Sequence, residues 1–204
     1  MAVETMNDLF LDELKDIYSA EKQAVRVYPR LAKAIESQEL KQAMQTHLEE
    51  TKGQVERLDR VFEILEKRGG GKTCEGMKGL IEEGQEMVEE VEAGPVRDAA
   101  LIGAAQRMEH YEIAAYGTVI TLAKAMGQEE IANLLGQTLA EEKSTDEKLT
   151  QVAETVNQQA LAESDEEDDL DEDDEDDKED EEEDEPKPAK KAAVKSPAKK
   201  SSKK

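Results

Sequence analysis

Two tight connections, IESQE at 35–39 and AMGQE at 125–129, constrain this chain more than any other feature. Each joins two long stretches rich in Ala, Leu, Glu, Lys and Gln, all strong helix formers, and no alternating β-branched run interrupts them. Helices linked so closely must turn back antiparallel on one another. The sequence therefore reads as two helical hairpins, separated by a longer link over 68–94 that carries a helical pattern of its own.

Turn signals divide the folded part into five helices. The first is predicted from about Val3 to Ile35, capped by Thr5 or Asn7 and kinked by the internal Pro29. The second spans Gln38 to Lys67 and stops at RGGGK, 68–72. A short helix follows over Glu75–Val91. The fourth opens with Pro95 at a favoured first-turn position and ends near Met126–Gly127, and the fifth covers Gln128–Val156. Two hairpins with one long crossover is the connectivity of ferritin-like bundles, not of simple up-down or cytokine bundles. The expected fold is thus all-α, a ferritin-like four-helix bundle with a short fifth helix in the crossover.

Charge sets the boundary of that fold. The 204 residues carry a formal net charge of −24. Residues 163–185 hold 20 acidic side chains against one Lys, and residues 186–204 hold eight Lys and no acid. The acidic run has too little apolar surface to offset the entropy of ordering it, and its charges repel. The expected organisation is a bundle over 1–162, a disordered acidic segment over 163–185 and a disordered Lys-rich tail over 186–204. The tail admits two readings: a solubilising polyampholyte, or a weak, salt-sensitive and sequence-independent nucleic-acid contact through 186–204. Cys74 is the only cysteine, which excludes a disulfide scaffold and fits a reducing cytoplasm. No apolar stretch approaches a membrane span, so no membrane partner is expected.

The hairpins resemble each other. LAKAI at 31–35 returns as LAKAM at 122–126, a shift of 91 positions that also takes Glu21 to Glu112. Within the apolar stripe of the fourth helix, Leu101, Ala105, Met108, Ala115, Val119 and Leu122, the gap is Glu112. On the first helix the stripe is Leu14, Ile17, Val25, Tyr28 and Leu31, and the gap is Glu21. The second helix has Leu40, Met44, His47, then Glu50 or Thr51, Gln54 and Leu58. The fifth has Ile131, Leu135, Thr138 or Leu139, then Glu142, Asp146 and Leu149. Each long helix is expected to place a carboxylate midway along its apolar face.

An ionised carboxylate in a dry core costs several kcal/mol unless compensated, and four converging ones also repel. Two divalent cations remove both problems, as in di-iron and di-manganese bundles. Oxygen donors with at most one imidazole favour iron or manganese over copper and leave zinc open. The competing reading is that each Glu is solvated, or paired with Lys, Arg or another carboxylate.

The stretches DIYSAEKQ (16–23), HLEETKGQVERL (47–58), GLIEEG (79–84), VRDAALIGAAQRMEHYEIAAYGT (96–118) and LAEEKSTDEKL (139–149) closely resemble the YciF-type bacterial stress proteins, a ferritin-like family distantly similar to rubrerythrins. The resemblance covers about residues 5–158 and implies a cytoplasmic homodimer with a di-metal site. Ferritin-like di-iron proteins take single Glu ligands from two helices and Glu-x-x-His from the other two. Glu21 and Glu112 fit the single positions, and Glu50 and Glu142 the paired glutamates. The histidines do not follow, because Gly53 and Thr145 stand three residues on. His47 precedes Glu50 by three and is a candidate ligand from the other side. Gln54 and Asp146 are candidates for the vacant places, and Glu109, one turn before Glu112, could ligate or relay protons. His110 is expected in a surface or interhelical hydrogen bond. The tyrosines read mainly as core, and Cys74 as an exposed thiol. A rubrerythrin-type Cys-rich site is absent, so an electron donor would be another protein. Two functions stand side by side: a di-metal oxidoreductase acting on dioxygen or peroxide, and a non-catalytic dimeric structural stress protein.

Overall fold

The structure is a computed structural model that describes residues 3–175, with side chains described over 3–163. Five helices follow in order: α1 (Met6–Ala34), α2 (Gln38–Ile64), α3 (Glu75–Glu90), α4 (Pro95–Ala125) and α5 (Glu129–Glu175). Among the described residues there is no strand.

Local signals account for the helix ends. Thr5 caps α1 in a reciprocal capping box, its hydroxyl accepting from the Asp8 amide at 3.1 Å while the Asp8 carboxylate accepts from the Thr5 amide at 3.0 Å. Pro29 lies inside α1, and the helix continues past it to Ala34. Ser37 caps α2, and the Cys74 sulfur accepts from the Met77 amide to cap α3. Pro95 opens α4 at a position where its missing N–H costs nothing. Gly127, at φ 72°, closes α4 by a left-handed turn in which its amide reaches Lys124 O and that of Gln128 reaches Ala123 O.

The first turn of α4 grips the α1–α2 connection. The Arg97 guanidinium donates to the Ala34 carbonyl at 2.9 Å, and the buried Asp98 carboxylate accepts from the amides of Glu36 and Ser37. Helix α3 packs against α4 and α1.

Helix α5 extends beyond Val156, where the hydrophobic pattern ends, and into the acidic segment expected to be disordered. A helix already nucleated gains one hydrogen bond per added residue, so it outlasts its packing pattern. The described residues from 3 to 167 belong to one compact unit. The Lys-rich tail expected over 186–204 lies outside the described residues. None of the described helices is long and apolar enough to cross a membrane.

The core is divided in two along the bundle. One apolar cluster holds Phe10, Leu14, Ile17, Leu58, Phe62, Val119 and Leu135. The other holds Ala24, Leu31, Leu40, Met44, Ala105, Met108 and Leu149. On all four long helices the residues between these clusters in sequence include buried polar ones: Glu21, then His47, Thr51 and Gln54, then Glu109 and Glu112, then Thr138, Glu142 and Thr145.

Candidate metal centre

The apolar layers dictate what the polar layer can do. Glu21, Glu109, Glu112 and Glu142 are each at most 1% exposed, as is His47. Four of these, His47, Glu109, Glu112 and Glu142, offer one donor atom each, all within 4.8 Å of one another. His47 Nε2 lies 3.0 Å from Glu109 Oε1 and 3.8 Å from Glu142 Oε2. The Tyr28 hydroxyl is 3.2 Å from the same nitrogen and donates to Glu109 Oε1 at 3.4 Å. On the opposite ring edge, His47 Nδ1 is 3.1 Å from the Thr145 hydroxyl and 3.5 Å from Glu50 Oε2. Glu21 accepts from the buried Tyr116 hydroxyl at 2.5 Å.

The carboxylates are left short of partners. Glu21 Oε2, Glu109 Oε2, Glu112 Oε1 and both oxygens of Glu142 are buried without a hydrogen bond. His47 is the basic group among them. Arg57, on the next turns of α2, is held by Glu141 at 2.8 and 2.9 Å and by Thr138.

Electrostatics follow from this crowding. Burial pushes Glu112 well above the usual carboxylate value, and Glu21, Glu142 and Glu109 push it further. Burial and the adjacent Glu109 raise Glu142 to about 11. Burial raises Glu21 to about 7, against the lowering effect of its hydrogen bond from Tyr116. Burial alone would lower His47, but Glu109, Glu50 and Glu142 outweigh it and hold the imidazolium well above its ordinary value.

Of the residues singled out in the sequence, the structure brings Glu21, His47, Glu109, Glu112 and Glu142 into this layer and leaves Glu50 and Asp146 outside it. Glu50 has a side chain 41% exposed. Asp146 is turned away, accepting from Gln106 at 3.1 Å and lying 3.3 Å from the exposed His110. The interhelical contact expected of His110 is present. The inward positions are Thr51 on α2 and Thr145 on α5, so α2 contributes an imidazole and no carboxylate. Regular spacing in steps of four and three, Leu40, Met44, His47, Thr51, Gln54, Leu58 and then Ile131, Leu135, Thr138, Glu142, Thr145, Leu149, identifies both threonines as buried. These two series superpose with a shift of 91 positions, which takes Thr51 to Glu142 and His47 to Thr138. Cys74, expected to be exposed, is fully buried beside Tyr111, because the thiol caps α3 from beneath. Tyr28 and Tyr116 do more than fill the core, since both bind layer residues.

The chain matches the family described as "Domain of unknown function (DUF892)" over residues 5–162. Protein YciF of Escherichia coli strain K12 is 50% identical over 165 residues, covering 78% of this chain and 98% of that protein. The crystal structure of the E. coli stress protein YciF matches with a TM-score of 0.74 at 49% identity, over 76% of this chain and 99% of that one. A structure of YcfI from Rhodopseudomonas palustris matches with a TM-score of 0.71 at 42% identity, over 72% and 94%. The match of sequence over almost the whole bundle and of all-α fold places this chain in the DUF892 family, among the YciF-type proteins.

Proposed function

We propose that this protein is a YciF-type stress protein whose bundle holds two divalent cations, iron or manganese, between Glu21, His47, Glu109, Glu112 and Glu142. One observation carries the reading: five carboxylate oxygens are buried without a hydrogen bond in one layer whose basic group is a single imidazole. Such oxygens are costly in a metal-free core and are the donors hard cations require. Four carboxylates and a neutral imidazole carry the charge that two divalent ions neutralise.

Iron or manganese held there would supply one-electron redox chemistry with dioxygen or peroxide. The chain's own contributions are positional. The Thr145 hydroxyl, with Glu50 beyond it, fixes the His47 ring from Nδ1, which leaves Nε2 facing the carboxylates. Tyr116 orients Glu21 by donating to one oxygen, leaving the other free. The apolar clusters above and below keep bulk water from the layer. Relative to a Glu-x-x-His bundle, this donor set has one nitrogen and more oxygen, which favours weaker and harder binding.

The test is metal content of protein purified without chelator or metal affinity resin, beside Glu112→Ala and Glu142→Ala. About two iron or manganese per chain, lost in both variants, is expected, and peroxide consumption is then assayed. Protein that takes up no metal after anaerobic Fe2+ addition removes the reading and leaves the structural-protein alternative.

A further inference from the structure

The wall of the buried layer is not equally thick on all sides. Towards the apolar clusters it is closed by Tyr28 and Tyr116, one from each cluster and both at most 1% exposed. Between α2 and α5 it thins to Thr145, at 9% the least buried polar residue of the layer. Outside Thr145 lies a groove of about 420 Å³ whose lining includes Gln42, Thr46, Glu50, Ser144 and Lys148. A second hollow shares Gln42, Thr46 and Glu50 with it, so the two meet at Glu50.

The chemistry of this groove suits an arriving cation. Its lining offers hydroxyl, amide and carboxylate oxygens, the donors a hydrated divalent ion exchanges for water. Lys148, the basic side chain there, is held by Glu39 at 3.2 Å. Glu50 stands with its carboxylate partly in solvent and one oxygen 3.5 Å from His47 Nδ1. Glu50 and Thr145, each one turn beyond His47 and Glu142, both line the groove and both approach His47 Nδ1, so the groove and the layer are separated at Thr145 by a single side chain. At the place where a Glu-x-x-His bundle carries its second imidazole, Thr145 has a smaller side chain, which lowers the wall at this point.

We propose that the α2–α5 groove is the entrance through which divalent cations reach the buried layer, and that Glu50 at its mouth takes the incoming ion and hands it past Thr145 to His47 and Glu142. This rests on the metal-centre reading above. Glu50 is a capture residue and not a resident ligand, so its loss changes rates and leaves stoichiometry intact. A carboxylate at the mouth of a low-dielectric cleft raises the local cation concentration and the on-rate together.

The experiment is Co2+ uptake by the metal-free full chain, followed in a stopped flow by competition with a fluorescent chelator, with chelator-driven release measured separately. Three variants are compared with the native chain. Glu50→Gln removes the capture charge, Gln42→Trp fills the mouth from an exposed position, and Glu63→Gln removes an equal charge elsewhere on α2. Glu50→Gln and Gln42→Trp are both expected to slow uptake by about tenfold with unchanged ions per chain, and in Gln42→Trp, which touches no ligand, release slows in step so that Kd is unchanged. Glu63→Gln behaves as the native chain. Uptake at native rates in both groove variants overturns the route. A reduced number of ions in Glu50→Gln overturns the capture role, since Glu50 would then be a ligand. A native chain that takes up no Co2+ overturns the metal-centre reading itself, and the route with it.

Discussion

His47 Nε2 stands 3.0 Å from Glu109 Oε1, an imidazole pressed against one carboxylate in a layer that holds three more. In the absence of metal this pair is the main compensation the layer has. Removing the imidazole therefore acts oppositely to removing a carboxylate.

In chelator-treated protein, His47→Leu is expected to lose about 3 kcal/mol of unfolding free energy, because it strands Glu109 beside its neighbours. Glu142→Leu, which deletes two buried oxygens without partners, is expected to gain about 1–3 kcal/mol. Urea unfolding in chelator gives both values. A Glu142→Leu chain less stable than the native one would show that the layer is satisfied without cations.

Stability of the metal-free protein should fall as pH rises. Glu21 titrates near 4.5 when unfolded and at about 7 in the fold, so its neutral form stabilises the fold fully below 4.5, an effect lost as pH climbs through 7. The raised His47 adds in the same sense: its stabilisation is complete below 6.5 and disappears as pH rises through its higher folded value. The Glu21 contribution alone amounts to at most about 3 kcal/mol. Urea midpoints in chelator between about pH 5 and about pH 8 should decrease, and a saturating divalent metal should flatten or reverse the trend, because cations displace the protons.

Asp98 joins the two hairpins at one end of the bundle by accepting from the Glu36 and Ser37 amides at 3.0 and 2.6 Å. Asp98→Ala leaves those amides without their acceptor at the α1–α2 turn and should cost about 2–4 kcal/mol. Thermal unfolding followed by circular dichroism measures the loss, and an unchanged midpoint would mean the amides find water.

Tyr111 secures the buried end of the crossover. Its hydroxyl donates to Asp16 at 2.5 Å and lies 2.9 Å from the Cys74 sulfur. Burial, then the nearby Asp16, raises the Cys74 thiol above its ordinary value, so native Cys74 should resist alkylation. Tyr111→Phe should lower stability by about 1–2 kcal/mol and speed Cys74 alkylation by about tenfold through opening of the first turn of α3. Iodoacetamide labelling read by mass spectrometry distinguishes this from an inert site.

How far the sequence disclosed the site depended on the kind of signal each residue gives. Glu21, Glu112 and Glu142 interrupt runs of apolar side chains, and a charge within such a run is visible at any reasonable helical phase. The choice between Glu50 and Thr51, and between Asp146 and Thr145, needed the phase itself. One residue turns a helix by about 100°, so neighbours on α2 straddle the border between core and solvent. The strict alternation of four- and three-residue steps settles both cases, but a hydroxyl draws less attention than a carboxylate. Cys74 escaped because its burial comes from α3 folding back over α1 and α4, a contact distant in sequence. The end of α5 escaped because hydrophobic pattern reports packing, and a helix can outrun its packing.

The 91-residue correspondence between the hairpins has a consequence for how the centre comes into being. The first hairpin supplies Glu21 and His47, the second Glu109, Glu112 and Glu142, and the positions do not answer one another: Thr51 stands opposite Glu142 in the repeat, and Thr138 opposite His47. Two copies of the first half would assemble a pair of imidazoles with two carboxylates, and two copies of the second an array of six carboxylates with no imidazole. During synthesis the first hairpin, α1 and α2, is made before Glu142 on α5 has been added. Throughout that interval Glu21 and His47 lack their complements, so the polar layer is assembled only once translation has delivered the last helix.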